Sequence, residues 1–156
     1  PGILLSADVQ GFVRVLRDET LVYEAWPEMP EVLSNLDILK TDAVEAAFLT
    51  GEDNIEKAAK FFADLGVREV LLSHSEGILV HTGGEYYHYK FHAKSMAGRS
   101  GRGDSCVGSY VAMRLSLPPQ EAGKWSAAVT SLKVERLGVF DRSIEEVRAF
   151  IAEHYD

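Results

Sequence analysis

One cysteine among 156 residues, Cys106, excludes an internal disulfide framework and fits a reducing compartment. Positive charge is scarce as well. Lysine and arginine number 16 against 24 acids, a formal net charge of −8 that argues against a nucleic-acid partner. No apolar run approaches the roughly 20 residues that span a bilayer, so no membrane partner is expected. No basic segment followed by an apolar one opens the chain, which makes a cytoplasmic protein the expectation. An initiator methionine is also missing. The stretch Pro1-Gly2-Ile3-Leu4-Leu5-Ser6-Ala7-Asp8 begins inside what reads as a buried strand, and a fragment of a longer chain is therefore expected.

What is present suffices for one core. With 46% hydrophobic residues, the chain reads as a single domain over 1–156. Its most informative stretch is Gly101-Arg102-Gly103-Asp104. Two glycines let the backbone turn tightly and come close to a ligand. Val107, Tyr110, Val111 and Leu115 follow near helical spacing, so the loop is predicted to feed a helix. The start of a helix carries unpaired N–H groups and partial positive charge, which suit an anion such as phosphate. Asp104 then stands where an aspartate caps a helix or where a carboxylate takes a proton from a bound hydroxyl. Spacing alone leaves both roles open.

The rest of the chain alternates strands and helices. The region after the first strand reads as extended or loop, and 20–29 as irregular. A short helix is predicted over 31–36 and a buried strand over 36–40. Asp42 and Glu45 have the capping-box spacing of a helix that Gly51 stops. Ile55, Ala58, Ala59, Phe62 and Leu65 mark the apolar face of the next helix, which ends at Gly66. Strands are predicted over 68–73 and 77–81, with Gly83-Gly84 turning the second into an alternating strand over 86–91. Pro118-Pro119 opens a long helix with Ala122, Trp125, Val129 and Leu132 inward, and Ser143 with Glu146 caps a last one. This order implies a three-layer α/β fold: a mainly parallel sheet flanked by helices, with a β-hairpin near 77–91. In such sheets ligands gather at the carboxyl ends of the strands.

Three separated segments together resemble the ribokinase-like, PfkB-type carbohydrate kinases. The family's Asp-Thr-Thr-Gly-Ala-Gly-Asp-Ser-Phe stands here as Gly98-Arg99-Ser100-Gly101-Arg102-Gly103-Asp104-Ser105-Cys106. Lys40-Thr41-Asp42-Ala43-Val44-Glu45, followed by Leu49-Thr50-Gly51, is similar to its Lys-Pro-Asn-x-x-Glu and Leu-Thr-Gly. Val70-Leu71-Leu72-Ser73-His74-Ser75-Glu76-Gly77 is similar to its strand ending in Thr-x-Gly-x-x-Gly. Order and spacing agree over nearly the whole chain. The resemblance implies a ribokinase-like fold and ATP-dependent phosphorylation of a sugar or related polyhydroxy compound. It implies Asp104 as catalytic base, with Gly101, Arg102 and Gly103 offering N–H groups to the transferred phosphoryl. It puts Ser73, Ser75 and Gly77 along the nucleotide, Ala128 and Ser131 on the adenine side, and Asp42 and Glu45 near Mg2+.

Several positions depart from the family pattern. Gly98 replaces the leading aspartate, which leaves a monovalent-cation site open; Arg102 replaces the central alanine, Asp42 an asparagine and Cys106 a phenylalanine. Nothing matches the amino-terminal half of the family, which carries much of the sugar-binding surface and the lid. The chain thus reads as the carboxyl-terminal, nucleotide-binding part of a longer kinase. The edge left by the absent half is open to a second copy or to another polypeptide. Other readings are a degenerate or regulatory nucleotide-binding module, an α/β enzyme using the loop for another phosphorylated ligand, and an adhesive protein using Arg102-Gly103-Asp104. An adhesive tripeptide belongs on an exposed loop tip. Cys106 is read as a packing residue. His88 and His92 alternate with Tyr87, Tyr89 and Phe91, which reads as a solvent face rather than a metal site.

Overall fold

Three short strands end where polar residues begin. In the computed structural model, which describes residues 3–98 and 100–156, β1 is Ser6–Asp8, β4 is Ile38–Asp42 and β5 is Glu69–Ser73. Both pairings are parallel, with Asp8 opposite Lys40 and Asp42 opposite Ser73. The strands are therefore in step, and their carboxyl ends present Asp8, Lys40, Asp42 and Ser73 along one edge. The sheet continues through β6 (Gly77–Thr82) and β7 (Glu85–Lys90), in the order β1-β4-β5-β6-β7. Gly83 and Gly84, both with positive φ, make the predicted hairpin turn. The mainly parallel sheet flanked by helices is as the sequence implied. Pro1, Gly2 and Arg99, which belong to the motifs quoted above, lie outside the described residues.

The chain forms two units. One runs to His74 and includes Leu79–Tyr86; the other comprises Ser75–Ile78 and Tyr87–Asp156. In the first unit, α3 (Ala43–Thr50) and α4 (Ile55–Asp64) pack Ala46, Ala58, Ala59 and Phe62 against Leu39, Val70, Leu72 and Leu79 of the sheet. The alternate residues Ile38, Leu71 and Val80 are also fully buried. Strands buried on both faces read as continuous apolar runs, which is why they were legible. Both helix ends are as read: Asp42 and Glu45 form a complete capping box, and Gly51 closes α3 in the left-handed region.

The second unit holds α5 (Arg102–Arg114), α6 (Pro119–Val134) and α7 (Ile144–His154). Helix α6 is buried along most of its length from Ala122 to Val134. Gly123 permits this, because a Cβ there would meet the Tyr89 ring at 2.5 Å. Helix α7 covers Ala128, Val129 and Leu132 with Val147, Phe150 and Ile151. Its Ser143–Glu146 capping box is present.

Three expectations give way. The region after the first strand, read as extended or loop, opens with helix α1 (Gln10–Val13) before the extended β2 (Arg14–Arg17), which pairs antiparallel with β3 (Thr20–Tyr23) inside the stretch expected to be irregular. Its turn puts Asp18 and Glu19 at φ 46° and 62°, a geometry ordinarily signalled by glycine or asparagine, so the pair left no turn signature. The first strand is Ser6–Asp8 rather than the apolar run before it, and Ile3 is 87% exposed. The short helix α2 (Met29–Leu33) starts before the predicted one, with proline in its first turn.

Two glycines test this packing in opposite directions. A Cβ on Gly77 would lie 2.1 Å from the Tyr89 carbonyl oxygen, whereas one on Gly108 in α5 meets nothing within 4 Å. Gly77→Ala should cost about 1–3 kcal/mol through backbone displacement. Gly108→Ala should gain about 0.5–1 kcal/mol through helix propensity. Urea unfolding of both variants checks the signs.

Candidate functional site

The glycine loop opens its helix as expected. Gly101 is the N-cap of α5 at φ 75°, a conformation other residues adopt only under strain, and no side chain caps the helix. The first intrahelical bond is Ser105 N–H to the Gly101 carbonyl, so the N–H groups of Arg102, Gly103 and Asp104 precede the helical ladder. Asp104 is exposed at the third helical position, and its Oδ2 lies 4.0 Å from where a Cβ on Gly101 would stand. The plain N-cap role considered for Asp104 is thus held by Gly101. The adhesive reading fails on geometry: Arg102-Gly103-Asp104 is the first turn of a helix, not an extended loop tip.

Gly98 is buried, and a Cβ there would meet the Arg136 carbonyl oxygen at 1.8 Å. The backbone here admits no side chain at the position where the resembling pattern has aspartate. Cys106 is buried with its Sγ 3.3 Å from Ser126 Oγ, in keeping with a packing role.

A cavity of about 330 Å³ opens in the second unit beside the loop, lined by Ser75, Lys90, Phe91, Arg102, Thr130 and Val134 among others. Ser75 and Arg102 are thus brought to one cavity. Gly77 lies at the start of β6, buried against the Tyr89 backbone. Ala128 and Ser131 are fully buried and do not line it. Ala128 packs under α7, while Ser131 Oγ donates to the Ala127 carbonyl and accepts from His92 N–H. Thr130 and Val134, neighbours on α6, occupy the wall instead. Thr130 Oγ1 and Lys133 Nζ are buried with no hydrogen-bond partner among the described residues. Neither residue stood out in the sequence: a lysine in the last helical turn reads as a solvated end.

In the first unit, Asp42 and Glu45 are heavily engaged. Asp42 Oδ1 accepts from Glu45 N–H and Glu45 Oε2 from Asp42 N–H, while Arg14 reaches Asp42 Oδ2 at 2.7 Å. Arg14 lies 3.0 Å from Glu45 Oε1, yet that oxygen has no hydrogen bond of good geometry, so this contact is coulombic rather than directed. Lys40, itself buried, pairs with Asp8 at 3.2 Å. Ser73, at the end of β5, is buried with its hydroxyl 3.5 Å from the Thr41 carbonyl. These carboxylates are hard oxygen donors of the class magnesium takes, but with Arg14 seated they fit an ion held through its waters better than direct ligation. No cluster of three or more metal-ligating side chains occurs among the described residues. No helix among them is long and apolar enough to cross a membrane.

A family model described as pfkB family carbohydrate kinase matches residues 4–146. No curated protein matches the sequence. Among solved structures, a pyrophosphate-dependent kinase in the ribokinase family, complexed with a pyrophosphate analog and myo-inositol, is 36% identical. It superposes with a TM-score of 0.85 over 94% of this chain and 53% of that chain. A putative ribokinase II from E. coli in complex with ATP and Mg2+ is 25% identical, with a TM-score of 0.71 over 81% of this chain and 42% of that one. Arabidopsis thaliana ribokinase complexed with ribose and ATP is 26% identical, with a TM-score of 0.70 over 82% and 44%. The chain therefore spans about half the length of the structures it matches.

Burial dominates the titration of Glu45 and holds its carboxyl above the usual value of 4.5, with the nearby Asp42 charge adding to the effect and its own hydrogen bond from Asp42 N–H opposing it. A raised folded value means that the native state holds the proton more tightly than the unfolded chain. Stability from this group is then fully present below about 4.5 and declines as pH rises through the folded value. Glu45→Gln should flatten that decline while keeping the length of the capping side chain. An unchanged slope in unfolding free energy between pH 4 and 7 would contradict it.

Proposed function

The chain belongs to the PfkB family of carbohydrate kinases, and on that premise we propose that it is the carboxyl-terminal, donor-binding part of a longer phosphotransferase. That kinase moves the γ-phosphoryl group of Mg-ATP to a hydroxyl of a sugar or related polyol. The observation that carries this reading is the left-handed Gly101 N-cap of α5, with three N–H groups ahead of the helical ladder and Asp104 exposed beside them. Oxyanion charge on the transferred phosphoryl finds preorganised donors there, at the positive end of a helix. The substrate hydroxyl loses its proton to Asp104 as its oxygen forms the new bond to phosphorus, and ADP leaves with the electrons of the broken bond.

Support for the donor comes from the ATP- and Mg2+-bound relatives, and for the acceptor from the myo-inositol and ribose complexes. Bound magnesium would neutralise charge on the phosphates. Asp42 and Glu45 would hold it through its waters, and Ser73, Ser75 and Gly77 would run beside the nucleotide. A second reading of the donor, inorganic pyrophosphate in place of ATP, is favoured by one observation. Ala128 and Ser131, the positions expected beside adenine, are covered by the protein itself.

Asp104→Asn in the longer kinase should lower kcat by about 10²–10⁴-fold while donor affinity stays near normal, because the base acts in the transition state and adds little to ground-state binding. Steady-state turnover alongside donor titration reads both quantities. Equal kcat in the two proteins would remove Asp104 from the chemistry.

A further inference from the structure

We propose that Lys133 is a phosphate ligand of the donor site. Its ammonium, the backbone N–H groups of Arg102, Gly103 and Asp104 at the start of α5, and the Arg102 side chain together bind the diphosphate end of the donor, strongly enough that inorganic pyrophosphate is held without a nucleoside. The proposal rests on the reading of this chain as the donor side of a kinase.

Lys133 lies in the last turn of α6 and is only 5% exposed, yet its Nζ has no hydrogen-bond partner among the described residues. An ammonium removed from water without an acceptor is strongly disfavoured. A lysine answering the carbonyl end of its own helix does so from the surface, where water completes its shell. Burial is therefore the feature that the helix end leaves unexplained.

Its direction supplies the explanation. Lys133 Cε passes 3.7 Å from the point where a Cβ on Gly101 would stand, and Asp104 Oδ2 lies 4.0 Å from that same point. Because residue 101 is glycine, no side chain separates the lysine from the start of α5. Thr130, one turn earlier on α6, adds a second buried polar atom with no hydrogen-bond partner among the described residues, and it lines the cavity together with Arg102. The donors gathered here are three backbone N–H groups ahead of the ladder, an ammonium, a hydroxyl and a guanidinium. Among the described residues, the hydroxyl and the ammonium have no hydrogen-bond partner. A diphosphate has enough oxygens to meet several of these donors at once, and Arg suits paired phosphate oxygens by its fork geometry. That chemistry is shared by inorganic pyrophosphate and by the β,γ end of ATP, and the experiment separates the two.

Calorimetric titration of this chain in sulfate-free buffer, with Mg-pyrophosphate in one arm and Mg-ATP in the other, tests the proposal on wild type, Lys133→Met and Lys133→Arg. Mg-pyrophosphate should bind the wild type alone, tenfold or more weakly after Lys133→Met, and with most of its affinity kept by Lys133→Arg. Without ligand, Lys133→Met should melt no lower than wild type, because a buried ammonium with no hydrogen-bond partner among the described residues has been removed; a merely structural lysine would lower it. Should the methionine variant not fold, Lys133→Gln serves in its place. Donor binding untouched by loss of the charge would overturn the role of Lys133 and leave the kinase reading intact. Mg-ATP binding without Mg-pyrophosphate binding would move recognition to the nucleoside and overturn the proposal. Failure of the wild type to bind either donor would instead sink the donor-site reading on which it rests.

Discussion

The start of α5 constrains everything near it. A helix leaves its first N–H groups without intrahelical acceptors, and a bulky or β-branched N-cap residue would screen them. Gly101, at φ 75°, turns the chain into the helix while contributing no side chain. The same absence lets Lys133 approach from α6 and Asp104 stand at the opening. Any other residue at 101 would both strain the backbone and fill the space that the proposed chemistry needs. Gly98 and Gly123 serve the same region by letting backbone and ring pack where a Cβ would collide.

The first unit solves a different problem. Parallel strands in step bring several charged side chains to one edge, and like charges there would repel. Arg14, delivered by the small β2–β3 pair, sits against both Asp42 and Glu45, while Lys40 answers Asp8. The capping box adds two directed hydrogen bonds, so the carboxylates are oriented as well as neutralised. This arrangement makes Glu45 a buried acid with mixed influences on its proton: desolvation first, with an opposing hydrogen bond and nearby cations. Any role these groups have toward a metal ion passes through the position of Arg14.

Helix α6 shows why burial and sequence pattern part company. Its apolar inner face, with Ala122, Val129 and Leu132, was legible from spacing. Its polar residues were not, because Thr130, Ser131 and Lys133 are buried too. Their fates differ: Ser131 is satisfied locally, whereas Thr130, on the cavity wall, and Lys133, beside Gly101, each bury a polar atom with no hydrogen-bond partner among the described residues. A one-dimensional pattern records which residues are polar, but not which of them a neighbouring helix covers.

By itself the sequence determined the local grammar: the capping boxes at Asp42 and Ser143, the left-handed stops at Gly51 and Gly66, the glycine turn at 83–84, and the helix opened at Gly101. These features depend on residues within a few positions of one another, so spacing suffices to read them. Family membership was legible for a related reason, since the motifs are short and ordered along the chain. Only the tertiary structure decided which partners come from afar. It paired Arg14 with Asp42 and Glu45, hid Ala128 and Ser131, and placed Lys133 behind Gly101. The β2–β3 pair also escaped the sequence, because Asp18 and Glu19 adopt a turn that their types do not advertise. Contacts between residues some thirty positions apart depend on packing that no local pattern encodes, and the electrostatics of the site follows from those contacts.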